Sequence, residues 1–210
     1  MLAALDLPQT VPKAEAPETQ LVDWFIEALA AVRREERLFI DVASRYGLRV
    51  DLEAEKAPGG VAETSHQIPS ENKLLGLTMI EEQFGALGPS GISTTNVLPL
   101  PWLEGAVTFW GTERCYLDAW SWAKSQQPIT GNSSMREDAD GGALRKEFIP
   151  NWSSAEFAEF VGRLGSIIDH AVSKSLENQG EQAKDELLKR VEGKWKSLLA
   201  AEAAFWPAVD

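Results

Sequence analysis

The chain is short of the residue types that most site chemistry draws on. Its 210 residues hold one cysteine (Cys115), two histidines and two tyrosines. A single cysteine excludes an intrachain disulfide and favours a reducing compartment, so a cytoplasmic protein is the default expectation. His66 and His170 have no His-x-x-x-His or Cys-x-x-Cys spacing, so no metal site is expected. Basic residues are outnumbered, 20 against 32 acidic, for a net charge of −12. That balance argues against nucleic acid and anionic lipid, both of which need clustered Lys and Arg. No apolar run approaches ~18 residues, so no membrane span is expected. Met1 to Pro8 lacks a basic leader region and a cleavage pattern, which argues against a secretory signal. The glycines form neither a phosphate loop nor a dinucleotide fingerprint.

What is present in excess is tryptophan, eight residues against two Tyr. Rings at that density fill cores, and they also line cavities and interfaces. The 44% apolar fraction suits one folded domain. Residues 1–18, with Pro8, Pro12 and Pro17, read as a linker ahead of a domain over 19–210. Leu21, Phe25, Leu29 and Val32 recur at helical spacing, continued by Leu38, Phe39, Val42 and Tyr46 and stopped at Gly47. The cluster Arg33-Arg34-Glu35-Glu36-Arg37 between them reads as a solvated face.

Residues 51–69 and 88–98 read as loops, and Ser70 as the cap of a second helix running towards Gly88. Pro99 and Pro101 open a third helix that runs to about Ser125. Residues 126–146 read as a surface loop. Ser153 with Glu156 has capping-box spacing for a fourth helix, and Asn178-Gln179-Gly180 separates it from a fifth at about 181–206. Ser153 and Ser154 are expected as caps, His66 as a loop residue and His170, after Asp169 in the fourth helix, in a helix-surface or boundary role. No segment alternates with period two, so the expectation is an all-α bundle.

Two helices carry an acid inside an apolar stripe. Trp102, Ala106, Phe109, Glu113, Tyr116 and Trp120 fall on one face of the third helix, and Leu188, Val191, Trp195, Leu198, Glu202, Phe205 and Trp206 on one face of the fifth. A carboxylate in such a wall must find a partner, keep water, or hold its proton more tightly. One reading pairs each acid with a base, Arg114 and Arg163 being available. The other turns both towards one aromatic pocket, where the two would repel and separate into an acid and a base.

The phrase Phe109-Trp110-Gly111-Thr112-Glu113-Arg114-Cys115-Tyr116-Leu117-Asp118-Ala119-Trp120 resembles the corresponding helix of the TenA/thiaminase II family, of the TENA/PqqC group. Ala201-Glu202-Ala203-Ala204-Phe205-Trp206 is similar to that family's closing Glu-x-x-Phe-Trp, and Asn151-Trp152 before Phe157 to a third, looser phrase. Together they cover about residues 20–206. The resemblance implies a haem-oxygenase-like helical bundle, with no haem or other cofactor. Glu113 matches the glutamate of the branch lacking the nucleophilic cysteine, Phe109 stands where that cysteine would be, and Cys115 is off-register.

The implied activity is hydrolysis of a C–N bond in an aminomethyl- or formylaminomethyl-pyrimidine, as in thiamin salvage. Glu202 would be the acid/base beside the leaving nitrogen, and Glu113 would position or activate water. Phe109, Trp110, Tyr116, Trp152 and Trp206 would contact the pyrimidine. The family's Gln-Asp-aromatic phrase, whose aspartate holds the ring, has no counterpart here, and Lys73 and Leu74 stand near its second-helix tyrosine. The bundle is therefore expected to be incomplete at its N-terminus, either as part of a longer enzyme or as a non-catalytic binding or interaction protein. An incomplete bundle would expose apolar surface, so a homo-oligomer is expected.

Overall fold

Pro17 at the first helical position, where a missing N–H costs nothing, opens a thirty-residue helix that closes on Gly47. Gly47 adopts φ 63°, and its N–H reaches back to the Ala43 carbonyl. The computed structural model describes residues 15–48, 73–87, 99–127 and 138–207, less the side chains at 181 and 182. Residues 1–14, the stretches 51–69 and 88–98 expected as loops, and also Ser70, lie outside the described residues, and with them His66 and Gly88.

The described elements are α1 (Pro17–Tyr46), α2 (Leu75–Gly85), α3 (Leu103–Ser125), a π-helical turn (Leu144–Phe148), α4 (Ile149–Trp152), α5 (Ala155–Gln179) and α6 (Glu181–Phe205). No strand occurs among the described residues, so the fold is all-α as expected.

Three boundaries differ from the sequence expectation. α2 begins at Leu75 with Leu74 as its N-cap, four residues after the expected cap Ser70, and ends at Gly85. The cap of α5 is Ser154, whose hydroxyl accepts the Phe157 N–H at 3.1 Å. Ser153 instead donates to the Ile149 carbonyl at 2.6 Å, because the chain is still leaving α4 there. The expected loop over 126–146 is shorter than its composition suggests, since a turn and a π-helical turn begin within it. Asp140 makes this possible: its carboxylate accepts the N–H of Gly142 at 2.9 Å and of Leu144 at 2.7 Å, satisfying donors that a helix start leaves open.

α3 is the central element, packed between α5 on one side and α6 on the other. Leu21, Trp24, Ala106, Phe160 and Leu164 form the core between α1, α3 and α5. Trp24 also donates to the Phe160 carbonyl at 3.1 Å. Leu103, Val107 and Leu187 join α3 to α6. A third cluster, Val42, Ala143, Phe148 and Trp152, holds the far end of α1 against the π-turn and α4.

Arg190 of α6 locks the start of α3. Its guanidinium donates to both oxygens of Glu104, at 2.6 and 2.5 Å, and to the carbonyls of Pro99 and Leu100. Leu100 is held at φ 49°, an uncommon conformation for a residue with a side chain. α2 lies so close across α6 that a Cβ at Gly76 would run into the backbone of Ala204 and Phe205.

The inward stripe of α1 is not the one its largest residues suggest. Leu29 and Val32 are 66% and 60% exposed. The residues that turn inward follow Leu21, Trp24, Ala28, Ala31, Glu35, Leu38 and Val42, at alternating steps of three and four. Both ends of this stripe are large and buried, and its middle is two alanines and an acid. α1 is therefore pinned at its ends and stands off the core in between. On α6 the stripe is likewise shifted: Leu187 is buried at 3% while Leu188 is 60% exposed.

Candidate functional site

The small side chains at the centre of α1 leave a half-open cavity of about 800 Å³ beneath it. Ala28, Ala31, Glu35 and Leu38 of α1 form one wall. Phe109 and Glu113 of α3 face them, and Trp152 of α4 with Phe157 and Phe160 of α5 complete the aromatic side. That volume and apolar character suit a small organic ligand.

Glu113 lines this cavity, as a lone acid in the apolar face of α3. Among the described residues no hydrogen-bond donor or counter-ion meets it. Arg114 is bound to Asp118 at 3.0 Å and Arg163 to Glu27 at 2.6 Å, so neither expected base reaches it. Burial, and then the negative charge of Glu35, push the Glu113 carboxyl up to about 7. Glu35 also lines the cavity, and its Oε1 accepts the Trp152 indole N–H at 2.8 Å. Two carboxylates thus share an aromatic hollow, one fixed by an indole and one without a partner.

Glu202 is not the second acid of this cavity. It is 3% exposed, with Oε2 accepting the Trp206 indole N–H at 2.9 Å and Oε1 buried without a partner. Burial raises its pKa, and the indole hydrogen bond opposes that rise. Trp206, which donates to Glu202, meets Tyr116 with ring centres 5.1 Å apart, and Tyr116 in turn lies 6.1 Å from Trp152. Tyr116 is thus within reach of both carboxylate environments. Its hydroxyl pKa is raised by burial and then by Glu202, Glu113 and Glu35 in that order.

Of the aromatic residues expected at the site, Phe109 and Trp152 line the cavity. Phe109 is set by edge contacts to Phe25 and Phe84, with ring centres 4.9 and 5.0 Å away. Trp152 is stacked on Phe148 and tilted against Trp120. Trp110 turns away, against Trp195 and over Gly165. Tyr116 and Trp206 pack on one another, Trp206 bound to Glu202, and do not line the cavity. Cys115 is half-buried, and burial followed by the charge of Glu202 pushes its thiol up to about 11, which keeps it protonated and a poor nucleophile.

Glu35 went unseen in the sequence because four charged residues surround it. The pattern that exposes Glu113 would also have exposed Glu35: it is the one charged member of an otherwise apolar helical stripe. No protein-family model, curated protein or solved structure matches this chain.

Proposed function

We propose that this chain is a TenA-like aminopyrimidine hydrolase of thiamin salvage, working in the cytoplasm on a C–N bond of an aminomethyl- or formylaminomethyl-pyrimidine. The observation that carries the reading is Glu113, an unpartnered carboxyl with a pKa of about 7, facing a ring-lined cavity of about 800 Å³. A group of that pKa serves as a general base at neutral pH. Glu113 takes a proton from water, the hydroxyl attacks the carbon of the scissile bond (the methylene, or the formyl carbon of a formylated substrate), the C–N bond breaks, and the proton passes to the departing nitrogen. Phe109 and Trp152 supply flat walls for the ring.

The test is release of ammonia or formate from these pyrimidines by the purified protein. Glu113→Gln is expected to lower kcat/KM about 10²–10⁴-fold while the ring still binds. In the wild type kcat/KM should rise with pH through about 7, where the free protein's base loses its proton. Unchanged turnover in the variant would end the reading.

A second reading, a non-catalytic small-molecule-binding or interaction protein, is favoured by Glu202. This residue, the acid/base of the TenA resemblance, lies outside the cavity. Tight pyrimidine binding with no turnover selects that reading. A homo-oligomer belongs to either proposal: Ile26, Leu29, Val32 and Ile40 of α1 are each half or more exposed. Light scattering at micromolar concentration should give at least a dimer mass, and a uniform monomer would refute it.

A further inference from the structure

The charges around the cavity are lopsided. Glu27, Glu35, Glu113 and Glu156 line it, with Arg34 as the one base, and Arg34 is exposed. Glu27 is already bound to Arg163, and Glu156 is exposed in the first turn of α5. The two acids that remain in the aromatic part sit on facing helices, Glu35 on α1 and Glu113 on α3. Trp152 fixes Glu35 through Oε1 alone, so Oε2 and the remaining lone pairs stay free to accept.

Arg34 on α1 is the one base of the lining and is exposed, so an anion would meet more acids than bases in the hollow. A neutral ring gains the walls but leaves two carboxylates unsatisfied. A ring that carries a positive nitrogen gains both, because it meets the acids in a water-poor setting and stacks on the rings.

We propose that Glu35, oriented by Trp152, and Glu113 form a cation subsite, and that the cavity selects planar organic cations of the amidinium or aryl-methylammonium type over neutral and anionic rings of the same shape. This assignment rests on the cavity being the working site of the proposed function, and it makes Glu35 the specificity-determining residue there. The cation stabilises the ionised form of Glu113, so binding below neutrality expels a proton. The charge that acts on Glu113 is Glu35 on α1, paired to Trp152; Arg34 and Glu27 of α1 and Glu156 of α5 also line the cavity, and Glu202 of α6 acts on Tyr116.

Titration calorimetry with three near-isosteric probes tests the subsite. Benzamidine should bind, benzamide should bind about ten-fold or more weakly, and benzoate should give no heat. Glu35→Gln should remove the preference for benzamidine and leave benzamide as it was. Trp152→Phe keeps a ring and removes the indole donor, so it should reduce the preference even where Glu35→Gln fails to fold. At pH about 6, benzamidine should release a proton from the wild type and none from Glu113→Gln. Equal affinity for benzamidine and benzamide, or a preference that survives Glu35→Gln, overturns the assignment. Cation preference with no pyrimidine turnover refutes the hydrolase reading alone. Turnover without cation preference refutes the subsite alone.

Discussion

Glu113 and Glu202 are acids that the folded chain holds at a cost. A carboxyl raised from 4.5 to about 7 binds its proton more tightly in the folded state than in the unfolded one. The folded protein therefore loses stability as pH rises across that window, by up to ~3 kcal/mol from Glu113. Glu202 contributes in the same direction. Glu113→Gln carries no charge to bury. Its urea midpoint should exceed the wild type's at pH about 8 and match it near pH 4, and parallel pH profiles would contradict the raised pKa. Glu113 was legible in the sequence because its neighbours at helical spacing are Phe109, Tyr116 and Trp120. Glu35 was not, because Leu29 and Val32 are larger than Ala28 and Ala31 and drew the expected stripe to the more exposed edge of the cavity lining.

At the level of elements, the cavity exists because α1 is fastened at two ends and left unfilled between them. Leu21 and Trp24 anchor one end and Val42 the other. The opposite wall depends on α3 being held in place by Arg190. Burial alone would raise Glu104, but the hydrogen bonds and charge of Arg190 outweigh it and leave the carboxyl below its ordinary value. The stabilisation is thus full above the ordinary carboxylate range and fades as pH falls through the lowered folded value. Arg190→Met should cost about 2 kcal/mol at neutral pH by thermal or urea unfolding. The gap between variant and wild type should narrow near pH 3, and a constant gap would show that packing rather than charge holds this joint. The start of α3 was legible in Pro99 and Pro101, but Arg190 had no mark in the sequence, since its partners lie 86 to 91 residues away.

For the whole molecule the net charge of −12 acts on any charged ligand. An acidic surface concentrates cations near the cavity mouth, and added salt screens that field within ~3 Å at 1 M. Benzamidine affinity should accordingly fall several-fold between about 0.05 and 0.5 M salt, while benzamide affinity stays level. Equal salt dependence for the two probes would mean that the field of the protein plays no part in recognition.

The sequence alone determined that the described chain is helical, roughly where its helices begin and end, and that Glu113 and Glu202 stand in apolar stripes. Those are consequences of local spacing, capping residues and proline position, which act within a few turns. Which acids share a cavity was decided by tertiary packing. A stripe specifies which face of a helix turns inward, and the crossing of α1, α3 and α6 decides what that face meets. Glu113 shares the cavity beneath α1 with Glu35 and Trp152, and Glu202 is buried outside it against Trp206.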